Sequence, residues 1–247
     1  MRNDFEPVFN DFVKHFGGEV LPPSSEGKTA DYLFREQNIV AELKCLMEDR
    51  TARVNAEVTK IVQQWYRKHR KLPSGFDGKS LPIATAPEEI QDAWLKVLAA
   101  PVEDLIKKAN RQIRETKKRF DLPAAKGVAL IFNERNLLHS RPEDYKLLLA
   151  KILRKRTEGL EIRFPHIQGV VYFSFDTVKT PSEGMNFWAA IQLQHHPSED
   201  LRDVAQFQED LQQGWYQDLQ KRTGTVVRQF TRDSSGHLIQ LDKTASK

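Results

Sequence analysis

The stretch TADYLFREQNIVAELKCL, residues 29–46, decides how the chain is read. Two apolar runs, Asp31–Phe34 and Ile39–Leu46, are separated by the polar residues Arg35-Glu36-Gln37-Asn38. That pattern predicts two β-strands joined by a turn, an antiparallel hairpin. The second run is interrupted by Glu42 and Lys44. Strand side chains alternate between faces, so Glu42 and Lys44 point to one side and Ala41, Leu43 and Cys45 to the other. With Asp31 on the neighbouring strand, three charged tips converge at one sheet edge.

The flanking sequence supplies helices and further strands. Phe5, Phe9, Phe12, Val13 and Phe16 recur at helical spacing and predict a helix over 4–16, ended by Gly17-Gly18. A short strand at Glu19–Leu21 precedes Pro22-Pro23. Val54, Val58, Ile61, Val62 and Trp65 mark a helix over about 48–70, followed by a Pro-, Gly- and Ser-rich loop or insertion at 71–90. One helix is expected at 88–99, and Pro101 is read as opening a second, to about 120. GVALIFN, residues 127–133, is a continuous apolar run typical of a buried strand. A helix at 142–156, strands at 169–175 and 187–193, a Gln-rich helix at 199–222 and a hairpin around Ser235-Gly236 complete the chain.

These elements predict an α/β fold with a mixed β-sheet core flanked by helices and carrying helical insertions. Residues 1–247 read as a single domain: a core at about 4–193, a helical insertion at about 48–100, and a C-terminal helix and hairpin at about 199–247.

Composition narrows the class. With 39% hydrophobic and 29% charged residues, the chain has the make-up of a soluble globular protein, and no apolar run approaches the ~20 residues needed to span a bilayer. Met1–Phe5 lacks a secretory apolar segment. The one cysteine, Cys45, excludes an internal disulfide framework and a cysteine-rich zinc site, so a cytoplasmic, reducing compartment is expected. A net charge of +4 allows a polyanionic partner without demanding one.

Charges inside a sheet need a reason. Burying an isolated charge costs several kcal/mol, so such a group is paired or holds an ion. Two adjacent carboxylates repel, and a divalent cation removes that repulsion. Hard oxygen donors suit Mg²⁺ or Mn²⁺. An acidic residue two before a lysine is a common pattern; it also occurs at Glu26/Lys28, Asp77/Lys79, Glu115/Lys117 and Asp144/Lys146. Those copies fall in expected loops or helices, where residues two apart do not share a face. Only Glu42/Lys44 lies in a strand-like run one hairpin after an aspartate. The alternative for this pair is a salt bridge on an edge strand.

Asp31 followed by Glu42-Leu43-Lys44 resembles the active-site motif of the PD-(D/E)XK nuclease superfamily, the restriction-endonuclease-like fold. The order helix, strand, motif hairpin, helix, strand is similar over residues 5–133, although sequence likeness extends little beyond 29–46. The family's proline before the aspartate is Ala30 here. The resemblance implies Asp31 and Glu42 as metal ligands, with the Leu43 carbonyl assisting. Lys44 would orient or deprotonate the attacking water, or stabilise charge on the phosphate. It further implies a glutamate from the first helix, Glu6, and a glutamine from the helix after the motif, Gln112, at the same site. The alternative for Glu6 is a first-turn acid favourable to the helix dipole, and for Gln112 an ordinary boundary residue.

On that later helix Lys107, Arg111, Arg114 and Lys118 follow one another as a basic stripe opposite Val102, Ile106, Ala109, Ile113 and Phe120, the expected core face. The stripe suits phosphates or is a solvated cationic face. Trp65-Tyr66 among Arg67, Lys68, His69, Arg70 and Lys71 mixes aromatics with cations, a combination that stacks on unpaired bases, although Trp65 also fits a core position. Asn133, Glu134 and Asn136 read as a turn, and His195-His196 and the other histidines show no ligand spacing. The chain has no P-loop, dinucleotide glycine motif or nucleophile elbow. The resulting expectation is metal-dependent phosphodiester hydrolysis of nucleic acid, of DNA in preference to RNA. A homodimer or a partner protein is compatible with it, and a non-catalytic binding module is the alternative.

Overall fold

In a computed structural model, the described residues are 5–23, 29–46, 51–74, 76, 86–133, 142–176, 187–194, 200–224, 230–232 and 238–240. The chain begins with helix α1 (Phe5–His15), strand β1 (Glu19–Val20) and the hairpin strands β2 (Tyr32–Phe34) and β3 (Ile39–Leu46). The hairpin is antiparallel, with Tyr32 opposite Ala41 and Phe34 opposite Ile39. Its turn closes on Asn38, whose positive φ of 52° an asparagine tolerates better than most residues.

Helices α2 (Thr51–His69) and α3 (Glu88–Arg119) lead to strand β4 (Lys126–Asn133). Then come α4 (Pro142–Leu153), β5 (Gly169–Asp176), β6 (Phe187–Gln194), α5 (Arg202–Thr223) and a small hairpin of β7 (Phe230–Arg232) and β8 (Leu238–Gln240). The main sheet has six strands in sequence order, the first being the two-residue β1. Pairs β3–β4 and β4–β5 are parallel, and the others are antiparallel. The protein is thus α/β, with a mixed sheet flanked by helices. No helix among the described residues is long and apolar enough to cross a membrane.

Alternation sorts the strand residues into two cores. Val40, Leu46, Ala129, Ile131, Val170 and Tyr172 face α3 and α4, and pack on Val102, Ile106, Ala109, Ile113, Leu149 and Ile152. Ile39, Ala41, Leu43, Val128, Leu130, Phe132, Val171 and Phe173 face α1 and α5. There Phe9 and Phe12 lie 5.2 and 5.3 Å from the buried Trp215 ring, edge to face. Each such contact contributes about 0.5–1.5 kcal/mol beyond the area it buries.

Two expectations are corrected. Residues 88–119 form one helix with Pro101 inside it, not two helices. Proline removes one backbone hydrogen bond, yet Leu98, Ala99, Val102 and Ile106 bury a continuous face across that point. Ion pairs from Glu103 to Lys155 and Arg163 hold the next turn. Phe120 is the C-cap and only half-buried rather than part of the core face. The helix ends because Asp121 turns left-handed (φ 51°), and the Leu122 amide then closes on the Lys117 carbonyl at 2.8 Å. Half of the 71–90 loop (75 and 77–85), Glu134 and Asn136, His139, His195-His196 and the Ser235-Gly236 turn lie outside the described residues.

Candidate active site

Glu42 lies between Val40 and Lys44 on β3, and alternation turns all three toward α3. Across the sheet, Glu42 is level with Ala129 of β4 and Lys44 with Ile131. Asp31 immediately precedes β2 and joins the same face. Its backbone amide donates to Glu42 Oε2 at 3.1 Å, and its own Oδ2 accepts the Leu43 amide at 2.9 Å. Lys44 Nζ donates to Glu42 Oε1. Asp31, Glu42 and Lys44 are therefore brought together. Leu43 joins them through its N–H, while its side chain faces the opposite core.

The site is nearly dry. Glu42 is fully buried, and the Lys44 side chain is 17% exposed. Burial, and then the Asp31 charge, push the Glu42 carboxyl up to about 8, against the pull of Lys44. Burial also raises Asp31, opposed by the Leu43 amide, by Lys44 and by a hydrogen bond shared with Glu42. With both carboxylates ionised, one lysine leaves a net negative charge in a low-dielectric place. A protonated Glu42 donating to Asp31 relieves that charge, and so does a cation.

Helix α3 fixes the backbone that leads into Asp31. The Gln112 side-chain amide donates to the Thr29 carbonyl at 3.0 Å, and the Ala30 amide donates to Thr116 Oγ1 at 2.6 Å. These contacts join residues 83 and 86 positions apart. Gln112 thus reaches the site's backbone, not its carboxylates. The fully buried Thr116 completes the clamp, a role that its place in the sequence does not announce. One signal for it exists: a hydroxyl one helical turn after Gln112, beside the apolar stripe.

The other candidates lie elsewhere. Glu6 is exposed in the first turn of α1. It lies on the Tyr32 side of the sheet, where burial and the charges of Asp31 and Glu6 raise the Tyr32 phenol. That phenol donates to Asn10 Oδ1 at 2.7 Å. Among the described contacts Glu6 does not enter the Asp31–Glu42–Lys44 cluster. Lys107, Arg111, Arg114 and Lys118 are all exposed on α3. Arg114 binds Glu115 at 2.6 Å and lowers its carboxyl, with Lys118 and Arg111 adding to the effect. Glu115 therefore offsets part of the stripe. On the α3 flank opposite Gln112, Asn110 Oδ1 accepts the His166 amide at 2.9 Å.

The donor set suits a hard divalent cation. The fully buried Glu42 and the partly buried Asp31, just ahead of the neighbouring strand, offer mutually repelling carboxylates. No group of three His, Cys, Asp or Glu residues arranged for a metal exists among the described residues. One or two protein carboxylates, completed by water and phosphate oxygens, is the mode that Mg²⁺ favours. No protein-family model, curated protein or solved structure matches the chain.

Proposed function

We propose that this protein is a metal-dependent phosphodiesterase on a restriction-endonuclease-like fold that cleaves nucleic acid, with DNA preferred to RNA. The single observation that carries the reading is the hydrogen-bonded convergence of Asp31, Glu42 and Lys44 on one face of a motif hairpin. The element order supports it as well: a helix, the hairpin, helices, and then β4 laid parallel to β3.

Asp31 and Glu42 would hold Mg²⁺ or Mn²⁺. Such a cation supplies an acidified water and neutralises charge on the phosphate. The Lys44 ammonium, tethered by Glu42, stands where a positive charge acts more strongly than in bulk water. There it orients the water or meets charge developing on the phosphate. Gln112 and Thr116 hold the Thr29-Ala30 backbone, and so keep Asp31 opposite Glu42. Exposed cations of α3 supply phosphate contacts.

The test is a cleavage panel of supercoiled, linear and single-stranded DNA and of RNA, with Mg²⁺, Mn²⁺ or EDTA. Cleavage by the wild type with metal, abolished in EDTA and in Lys44→Ala, is expected. Cleavage indifferent to both would make the Glu42–Lys44 pair a structural ion pair.

A further inference from the structure

The aromatic and basic run at the end of α2 plays no part in the hairpin site, and the structure divides its two rings. Trp65 turns inward and stacks on His69, with centroids 3.8 Å apart. Tyr66 turns outward and is 47% exposed. Leu72, six residues on, is 54% exposed. Only one other large hydrophobic among the described residues, Leu160, is comparably exposed.

Cations surround these groups. Arg67, Lys68, Arg70 and Lys71 are exposed, against the exposed acids Glu88 and Glu89 at the start of α3. Glu89 is already engaged by Lys68 at 3.0 Å. Arg67, Arg70 and Lys71 have no acidic partner among the described residues. Arg70 leaves the helix with φ 55°, one turn after Tyr66, to whose carbonyl its amide donates at 2.8 Å. The Lys68–Glu89 pair ties the end of α2 to the beginning of α3. Tyr66 stands 15 residues beyond the start of α2, roughly 22 Å along its axis at 1.5 Å per residue.

From these observations we infer that the C-terminal end of α2, Tyr66 with Arg67, Arg70 and Lys71, is a binding site for an unpaired nucleic-acid strand. An exposed ring flanked by guanidinium and ammonium groups suits a base with its backbone phosphate: the ring stacks on the base, and the cations meet the phosphates. Duplex DNA hides its base faces and would engage only the cations. The inference rests on the nucleic-acid reading of the hairpin site and narrows it. The preferred substrate carries single-stranded DNA several nucleotides from the cleaved bond.

The experiment is fluorescence anisotropy in EDTA with a labelled single-stranded oligonucleotide and a blunt duplex of the same length. It compares the wild-type chain with Tyr66→Ala, Tyr66→Phe and Arg70→Gln. Tyr66→Ala should weaken single-strand binding about tenfold, the worth of one base stack. It should leave duplex binding unchanged, and Tyr66→Phe should bind as the wild type does. Arg70→Gln should weaken both ligands and lower the salt dependence. Equal single-strand affinity in Tyr66→Ala and wild type would overturn the inference, as would an equal weakening on both ligands. Because no metal or cleavage is involved, the two readings fail separately. Tyr66-dependent binding without cleavage of any substrate would sink the catalytic reading alone. Cleavage without Tyr66-dependent binding would sink this one alone.

Discussion

Asp31 is bound to Glu42 and to the backbone just after it, so the two carboxylates are fixed side by side on the hairpin. The Asp31 amide donates to the Glu42 carboxylate at 3.1 Å, and the Asp31 carboxylate accepts the amide of Leu43, the residue after Glu42, at 2.9 Å. Neither carboxylate can move without breaking a backbone hydrogen bond, so their repulsion is held in place by the fold.

That repulsion makes metal-free stability depend on pH. Glu42 titrates near 8 in the folded chain, against an ordinary 4.5. Below about 4.5 both folded and unfolded chains hold its proton. Between 4.5 and 8 the folded chain keeps the proton and the unfolded chain releases it, so stability falls as pH rises through this window. The decrease is on the order of a few kcal/mol. In urea melts with EDTA, Glu42→Gln should be less sensitive to pH over that range and more stable than wild type at pH 8. Parallel pH profiles would remove Glu42 as the source.

Divalent cations should reverse that decrease. At pH 8, millimolar Mn²⁺ or Mg²⁺ should raise the wild-type Tm by several degrees, because a ligand that binds only the folded chain stabilises it. The same addition should do little for Asp31→Asn or Glu42→Gln, while both variants fold as well as wild type or better without metal. Equal Tm shifts in all three chains would place the cation elsewhere.

Thr116 acts on Asp31 through the backbone. Thr116→Val leaves the Ala30 amide without its acceptor in a buried setting and should cost about 1–3 kcal/mol. Thr116→Ser should recover most of that stability. If Thr116 positions Asp31, Mn²⁺ titrations at 10 °C, where both variants are folded, should show weaker binding in Thr116→Val and near-normal binding in Thr116→Ser. Unchanged Mn²⁺ affinity in Thr116→Val would confine Thr116 to stability.

The basic stripe makes a graded prediction. For every DNA phosphate that a side chain neutralises, the slope of log affinity against log salt on duplex DNA steepens by about 0.9. Arg111→Ala should flatten the slope by close to that value. Arg114→Ala should change it less, because Arg114 is bound to Glu115. Salt dependence unchanged in both would take this face of α3 out of the interface.

The hairpin was legible because its signal is local. An apolar run interrupted at one parity gave the observed bounds of β3, Ile39–Leu46, and the shared face of Glu42 and Lys44. The chain partners of that site were less legible, since they depend on contacts between distant residues. Gln112 stood out as a flanking amide, but its target, the Thr29 carbonyl, depends on how α3 crosses the sheet. Thr116 shows in sequence only as a hydroxyl one turn after Gln112, and burial makes that hydroxyl matter. Pro101 misled for the opposite reason. Its local preference is to open a helix, and a continuous buried face on both sides outweighs that preference. The pairing of Glu115 with Arg114 is not legible, because charge stripes show what a face carries, not which acid beside it has already bound an arginine.

The most direct measurement is nicking of supercoiled plasmid in Mn²⁺ by wild type and by Lys44→Ala, with both chains shown to be folded. Metal-dependent nicking by the wild type, stopped by EDTA and reduced at least about a hundredfold in Lys44→Ala, is the result predicted from a cation and an ammonium acting on one phosphate. Nicking of equal rate in both chains, or no nicking of any nucleic acid by the wild type with either metal, would contradict it.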